Sequence, residues 1–180
     1  MSRPVYALLL GLVGAGIVHI SILFLLPHFT ERDAWSQLSQ VSDFYTPTSI
    51  TGTTSTTPLI RSVDPLFAAV ACRFDLGDGV VHVQAPGRVP FWSMSVYDRN
   101  GQNIFSFNDR TSADGTVNFV VLTPEQTIQV RRQLPEEFVN SVFVETDIGE
   151  GIVLVRAFVP DQTWRAAIAD FLSGVSCAPR

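Results

Sequence analysis

The chain has no lysine, and charge of either sign is scarce. Its 12 basic residues are all arginines, set against 17 acids, and charged residues make up 16% of the 180. All the acids and all the arginines except Arg3 lie after Pro27, where the balance is acidic. A nucleic-acid surface is basic, so that class of partner is excluded. Histidine is limited to His19, His28 and His82, and cysteine to Cys72 and Cys177. A zinc site gathers three or four ligands, so no metal is expected, and no cofactor motif is present. G-x-S-x-G, the P-loop, G-x-G-x-x-G and H-E-x-x-H are all missing. Low charge with 46% apolar residues also excludes a disordered chain.

One long apolar run is present. Residues 5–26, from Val5 to Leu26, contain no Asp, Glu, Lys or Arg. As a helix this run is about 33 Å long, enough for a hydrocarbon core of about 30 Å. A secretory signal peptide is the alternative, but its apolar stretch is typically about 7–15 residues before a small-x-small site. Pro27-His28-Phe29-Thr30 offers no such site, which favours an uncleaved anchor. Arg3 and the α-amino group precede the span, whereas Arg32 is flanked by Glu31 and Asp33. The positive-inside rule then puts the N-terminus inside. Ala7, Gly11, Ala15 and His19 recur every four residues as one stripe, a candidate helix–helix contact.

Residues 27–62 read as a short amphipathic helix and a linker. Trp35, Leu38 and Val41 mark the helix within 31–44, and Thr-rich residues 46–57 mark the linker. Residues 63–180 read as a β-rich domain of short runs broken by Gly, Asp, Asn and Pro. Strands at 66–76 and 80–85 flank Gly77-Asp78-Gly79 as a hairpin. Strands at 91–99 and 102–108 flank Asn100-Gly101 as a second hairpin. A strand at 117–122 leads to a helix capped by Thr123 with Pro124 and Gln126, ending near Leu134. Strands at 141–147 and 152–159 form a last hairpin, and a helix from Pro160 to Gly174 buries Trp164, Ile168, Phe171 and Leu172. The fold class is α+β: an N-terminal transmembrane helix, then an antiparallel, sandwich-like β domain with two short helices.

A two-residue Asn100-Gly101 loop sets Arg99 against Gln102, Tyr97 against Ile104, Ser95 against Ser106 and Ser93 against Asn108. Trp92, Met94, Val96, Phe105 and Phe107 then share the core face. Ser93, Ser95, Tyr97, Ser106 and Asn108 form a polar face, either wetted sheet or the floor of a ligand groove, with Arg110 beside it either to clamp a carboxylate or as part of a structural Asp109-Arg110 turn. Other constellations carry less. Cys72 and His82 diverge across a two-residue turn, and Glu145 with Asp147 reads as a solvated acidic pair. Cys72 and Cys177 read as a disulfide in an oxidising compartment, with two buried thiols as the alternative. The apolar-poor tail 175–180 has little else to hold it down.

The runs LLPHFTERDAW, DPLFAAVACRFDLGDGVVHV, PFWSMSVYDRNGQNIFSFNDRT and EGIVLVRAFVPDQTW resemble short membrane-anchored members of the bacterial family DUF1254. The resemblance spans nearly the whole chain, and FWS-x-S-x-YDR-x-G-x-N-x-FS-x-NDR is its most specific stretch. It implies a β-rich domain and, as partner, a separate DUF1214-like membrane protein; it implies no catalytic residue. The reading is a single-pass inner-membrane protein whose periplasmic domain is a binding or assembly module. The alternative is an envelope enzyme that uses the polar hairpin face.

Overall fold

The computed structural model describes residues 2–29, 34–50, 64, 66–112 and 115–180. The chain divides into two units, Met1–Asp33 and Ala34–Arg180. The first is helix α1 (Arg3–Phe29), longer at both ends than the apolar run alone predicts. Its segment Arg3–Leu25 is long and apolar enough to cross a membrane, a property that a signal sequence shares. Its side chains from Ser2 to Leu25 are all exposed, including the stripe of Ala7, Gly11, Ala15 and His19.

The second unit is a two-sheet sandwich. Its elements begin with α2 (Ala34–Ser39), β1 (Thr48–Ser49), β2 (Phe67–Asp75), β3 (Val81–Ala85), β4 (Trp92–Asp98) and β5 (Asn103–Asn108). They continue with β6 (Val117–Leu122), α3 (Pro124–Arg132), β7 (Val142–Glu145), β8 (Glu150–Phe158), α4 (Arg165–Ser173) and β9 (Ser176–Pro179). One sheet runs β1-β2-β8-β4-β5 and the other β7-β6-β3-β9. Alternation along the strands turns Val70, Phe74, Trp92, Met94, Val96, Val153 and Val155 inward. There they share one core with Val81, Val83, Val117, Phe119 and Val121 of the opposite sheet. Ile168, Phe171 and Leu172 of α4 join the same core. Cys72 on β2 and Cys177 on β9 are bonded across the two sheets, with Cα atoms 6.6 Å apart.

Several local expectations are overturned. Runs 66–76 and 80–85 do not form a hairpin: β2 pairs with β8, and β3 with β6 and β9 in the other sheet. A 3-10 turn at Leu76–Asp78, capped by the Asp75 carboxylate, carries the chain from one sheet to the other. Likewise β7 and β8 lie in different sheets, and β7 pairs with β6 in parallel. The connection through α3 is long enough for that crossover. Residues 175–180 are not held by the disulfide alone, because β9 pairs with β3 and Arg180 exchanges backbone hydrogen bonds with Val80.

Smaller elements also shift. Helix α2 stops at Ser39, so Trp35 and Leu38 are buried whereas Val41 is exposed. Thr48 and Ser49, read as linker, pair with β2; residues 51–62 of that linker lie outside the described residues. Trp164 belongs to a 3-10 turn ahead of α4 and is 39% exposed, off the buried stripe. The α3 start matches its signals: Thr123 and Gln126 form a capping box with Pro124 in the first turn.

Candidate functional site

The site is built on the face of the five-stranded sheet that points away from the core. The β4–β5 pairing sets Ser93 against Asn108 and Ser95 against Ser106, in the register read from the sequence. Nearer the turn the register shifts, and Tyr97 faces Asn103 rather than Ile104. The Asp98 carboxylate accepts from the N–H groups of Asn100 and Gln102, and Asp98 N–H closes on Gln102 O. The loop is therefore three residues long, with Gly101 left-handed at φ 80°. A bulge at Ile104 absorbs the extra residue and restores the alternation. Phe105 then lies on the edge strand, 39% exposed, and is not core.

The neighbouring strand supplies what the hairpin alone does not show. β8 pairs with β4 so that Arg156 faces Ser93 and Leu154 faces Ser95. On its other side Arg156 faces Ala69 and Leu154 faces Ala71. Arg156 thus lies on the same outer face as the serines. Its Nη2 reaches Ser95 Oγ at 3.5 Å, the one hydrogen bond of this guanidinium among the described residues, and its Nε is buried without a partner. Ser106 Oγ donates within a chain that links Asn103 to Ser95, at 2.8 Å for each contact. Ser95 is buried beneath this network although it faces away from the core.

Ser93, Ser95, Ser106, Asn108 and Arg156 therefore converge. Tyr97 lies one row nearer the turn, beside apolar neighbours, and Arg110 is exposed beyond the end of β5. Among the described residues Arg110 only donates its backbone N–H to Asn108 Oδ1. Sequence reasoning missed Arg156. The available signal was a lone arginine at the outward phase of the strand pattern Ile152-Val153-Leu154-Val155-Arg156-Ala157. Pairing with β4 joins residues 61 apart in sequence and was not legible locally.

The turn end of this face is roofed. Arg73 on β2 lies between Trp35 and Phe44, 4.4 Å from each ring centre, and its Nη1 donates to Ser42 O. These cation–π contacts hold α2 against the sheet. A cleft of about 190 Å³ remains between α2 and the strands, lined by Leu38, Ile50, Ala71, Tyr97, Ile152 and Leu154. A larger hollow of about 740 Å³ near α4 carries one charge of each sign on its lining, Asp64 and Arg165. It gathers none of the sequence-predicted residues. Elsewhere, His82 Nε2 is 2.9 Å from Asn118 Oδ1 and its ring packs on Phe138; Glu145 and Asp147 are both exposed. No cluster of metal-ligating side chains occurs among the described residues.

The family described as proteins of unknown function DUF1254 matches residues 52–179. The chain belongs to the DUF1254 family. No curated protein matches this DUF1254 chain. Among solved structures it is similar to the VPA0106 protein of Vibrio parahaemolyticus, with a TM-score of 0.59 at 9% identity. That likeness covers 84% of this chain and 35% of the Vibrio chain, and at this identity it shows the fold alone. An uncharacterised Burkholderia cenocepacia protein aligns with a TM-score of 0.47 at 17% identity, over 79% of this chain and 38% of its own. This DUF1254 chain thus spans little more than a third of the length of either structure.

Proposed function

We propose that this DUF1254 protein is a binding module, anchored by α1 in the bacterial inner membrane with its β domain on the periplasmic side. The outer face around Arg156 is its ligand site. The observation that carries this reading is the unbalanced guanidinium: among the described residues no carboxylate pairs with Arg156, although it is set among Ser93, Ser95, Ser106 and Asn108. A cation with unmet N–H donors in such a setting favours an anion. Hydroxyls, amides and a guanidinium bind and orient, whereas general acid–base work most often uses an imidazole or a carboxylate. That chemistry supports binding over the enzyme reading. The periplasmic assignment rests on the arginine before the span and on a disulfide between two buried cysteines, which persists in an oxidising compartment.

The test is acetate titration of the full-length, isotope-labelled protein in lipid nanodiscs, against sodium chloride at equal ionic strength. Saturable shifts at Ser93, Ser95 and Arg156 are expected, and Arg156→Gln should abolish them. No saturable response in the native protein would overturn the reading. Partner identity is a separate question. A DUF1214-like membrane protein is the proposed partner, and crosslinking in native membranes followed by identification of co-purifying chains tests it.

A further inference from the structure

The polar cluster and the apolar cleft lie on one sheet face, and Leu154 joins them. Leu154 lines the cleft, while two residues along β8 Arg156 stands at the centre of the polar cluster. Successive residues on one strand face are about 7 Å apart, so the guanidinium and the cleft wall are within reach of one small molecule. The cleft is built rather than incidental. The Arg73 side chain clamped between Trp35 and Phe44 fixes α2 as its roof, and Ile152 and Ala71 are buried in its floor.

We infer that the ligand of the Arg156 site is a small amphiphilic carboxylate, its head on Arg156 and its apolar group in the cleft between α2 and the sheet. This rests on the binding-module reading and names its ligand class. Size limits the apolar group: an engineered apolar cavity of about 150 Å³ binds benzene, so about 190 Å³ fits one ring or a short alkyl chain. Charge selects the head. Arg156 offers one positive charge, matched by a monoanion, whereas a dianionic phosphate calls for a second cation. Arg73 is occupied between two rings and Arg110 is exposed beyond the strand end. A planar carboxylate also suits the guanidinium fork.

The same nanodisc titration is repeated with acetate, hexanoate and hexan-1-ol, with free concentrations corrected against protein-free nanodiscs. Hexanoate is expected to bind at least tenfold more tightly than acetate, because its added methylenes leave water. Its shifts should extend from Arg156 to Leu154, Ile152 and Tyr97. Ala71→Leu, which fills the cleft, should remove the hexanoate gain. Hexanoate no tighter than acetate, or unaffected by Ala71→Leu, would overturn the amphiphile while leaving the anion site standing. Hexan-1-ol as tight as hexanoate would show that Arg156 recognises no head and overturn it too. Absence of any acetate response, by contrast, removes the underlying reading as well.

Discussion

Trp92 and Phe105 show how position within one hairpin divides similar side chains. Trp92 is fully buried, its indole N–H donating to Gly115 O, while Phe105 hangs on the edge strand. Trp92→Ala should cost about 3–5 kcal/mol and Phe105→Ala about 1 kcal/mol, as read by urea unfolding of the full-length protein. Gly151 admits no side chain, because a Cβ there would lie 2.6 Å from both Phe74 Cζ and Tyr97 O. Tyr45 carries a pH signature. Burial, reinforced by its hydrogen bond to the Asp78 carboxylate, pushes its pKa up from 10.0 to about 12. The neutral phenol is thus favoured in the fold, and its contribution is complete below the unfolded value and lost as pH rises from about 10 to about 12. Unfolding midpoints across that alkaline range should fall in the native protein, and Tyr45→Phe should flatten the dependence.

At the scale of elements, the cross-sheet disulfide joins the first long strand to the last strand. Cys72 and Cys177 are 105 residues apart, and the chain-entropy model assigns a loop of about 100 residues up to ~4.7 kcal/mol. Replacing both cysteines with serine should lower stability by about 2–5 kcal/mol in chemical unfolding. β9 should nonetheless stay on the sheet near the native baseline, because its backbone pairs with β3 independently of sulfur. Retained amide protection at Ala178, whose N–H faces β3, is the result that checks this. Simple fraying of the tail would show that the bond, not the strand pairing, holds it.

On the scale of the whole molecule, an apolar 23-residue segment precedes a two-sheet sandwich that has a hydrophobic core of its own. If α1 remains attached as an anchor, carbonate extraction leaves the full-length chain in the membrane pellet. A soluble product that begins near residue 30 would identify it as a cleaved signal instead. With the domain on the periplasmic side, alkaline phosphatase fused after Arg180 should be active and a cytoplasmic reporter at that point inactive. The opposite pattern reverses the proposed orientation.

The features legible in the sequence are local. The apolar run, the Thr123 capping box, the alternation along β4 and the register of Ser93 and Ser95 against Asn108 and Ser106 all depend on neighbours a few residues away. Period-2 patterning also separated the two faces of the strands, and hence the α+β class. Tertiary structure decided which strands share a sheet, because β2 and β3, or β7 and β8, have the same local pattern whether they pair together or part. It also decided that Phe105 lies at an edge, whereas the three-residue loop selected by the Asp98 carboxylate is itself a local feature that the Asn100-Gly101 pair masked. Arg156 is the consequence that matters most for function: only the long-range pairing of β8 between β2 and β4 brings its charge onto the serine face, since strand periodicity fixes which side a residue faces but not which strand lies beside it.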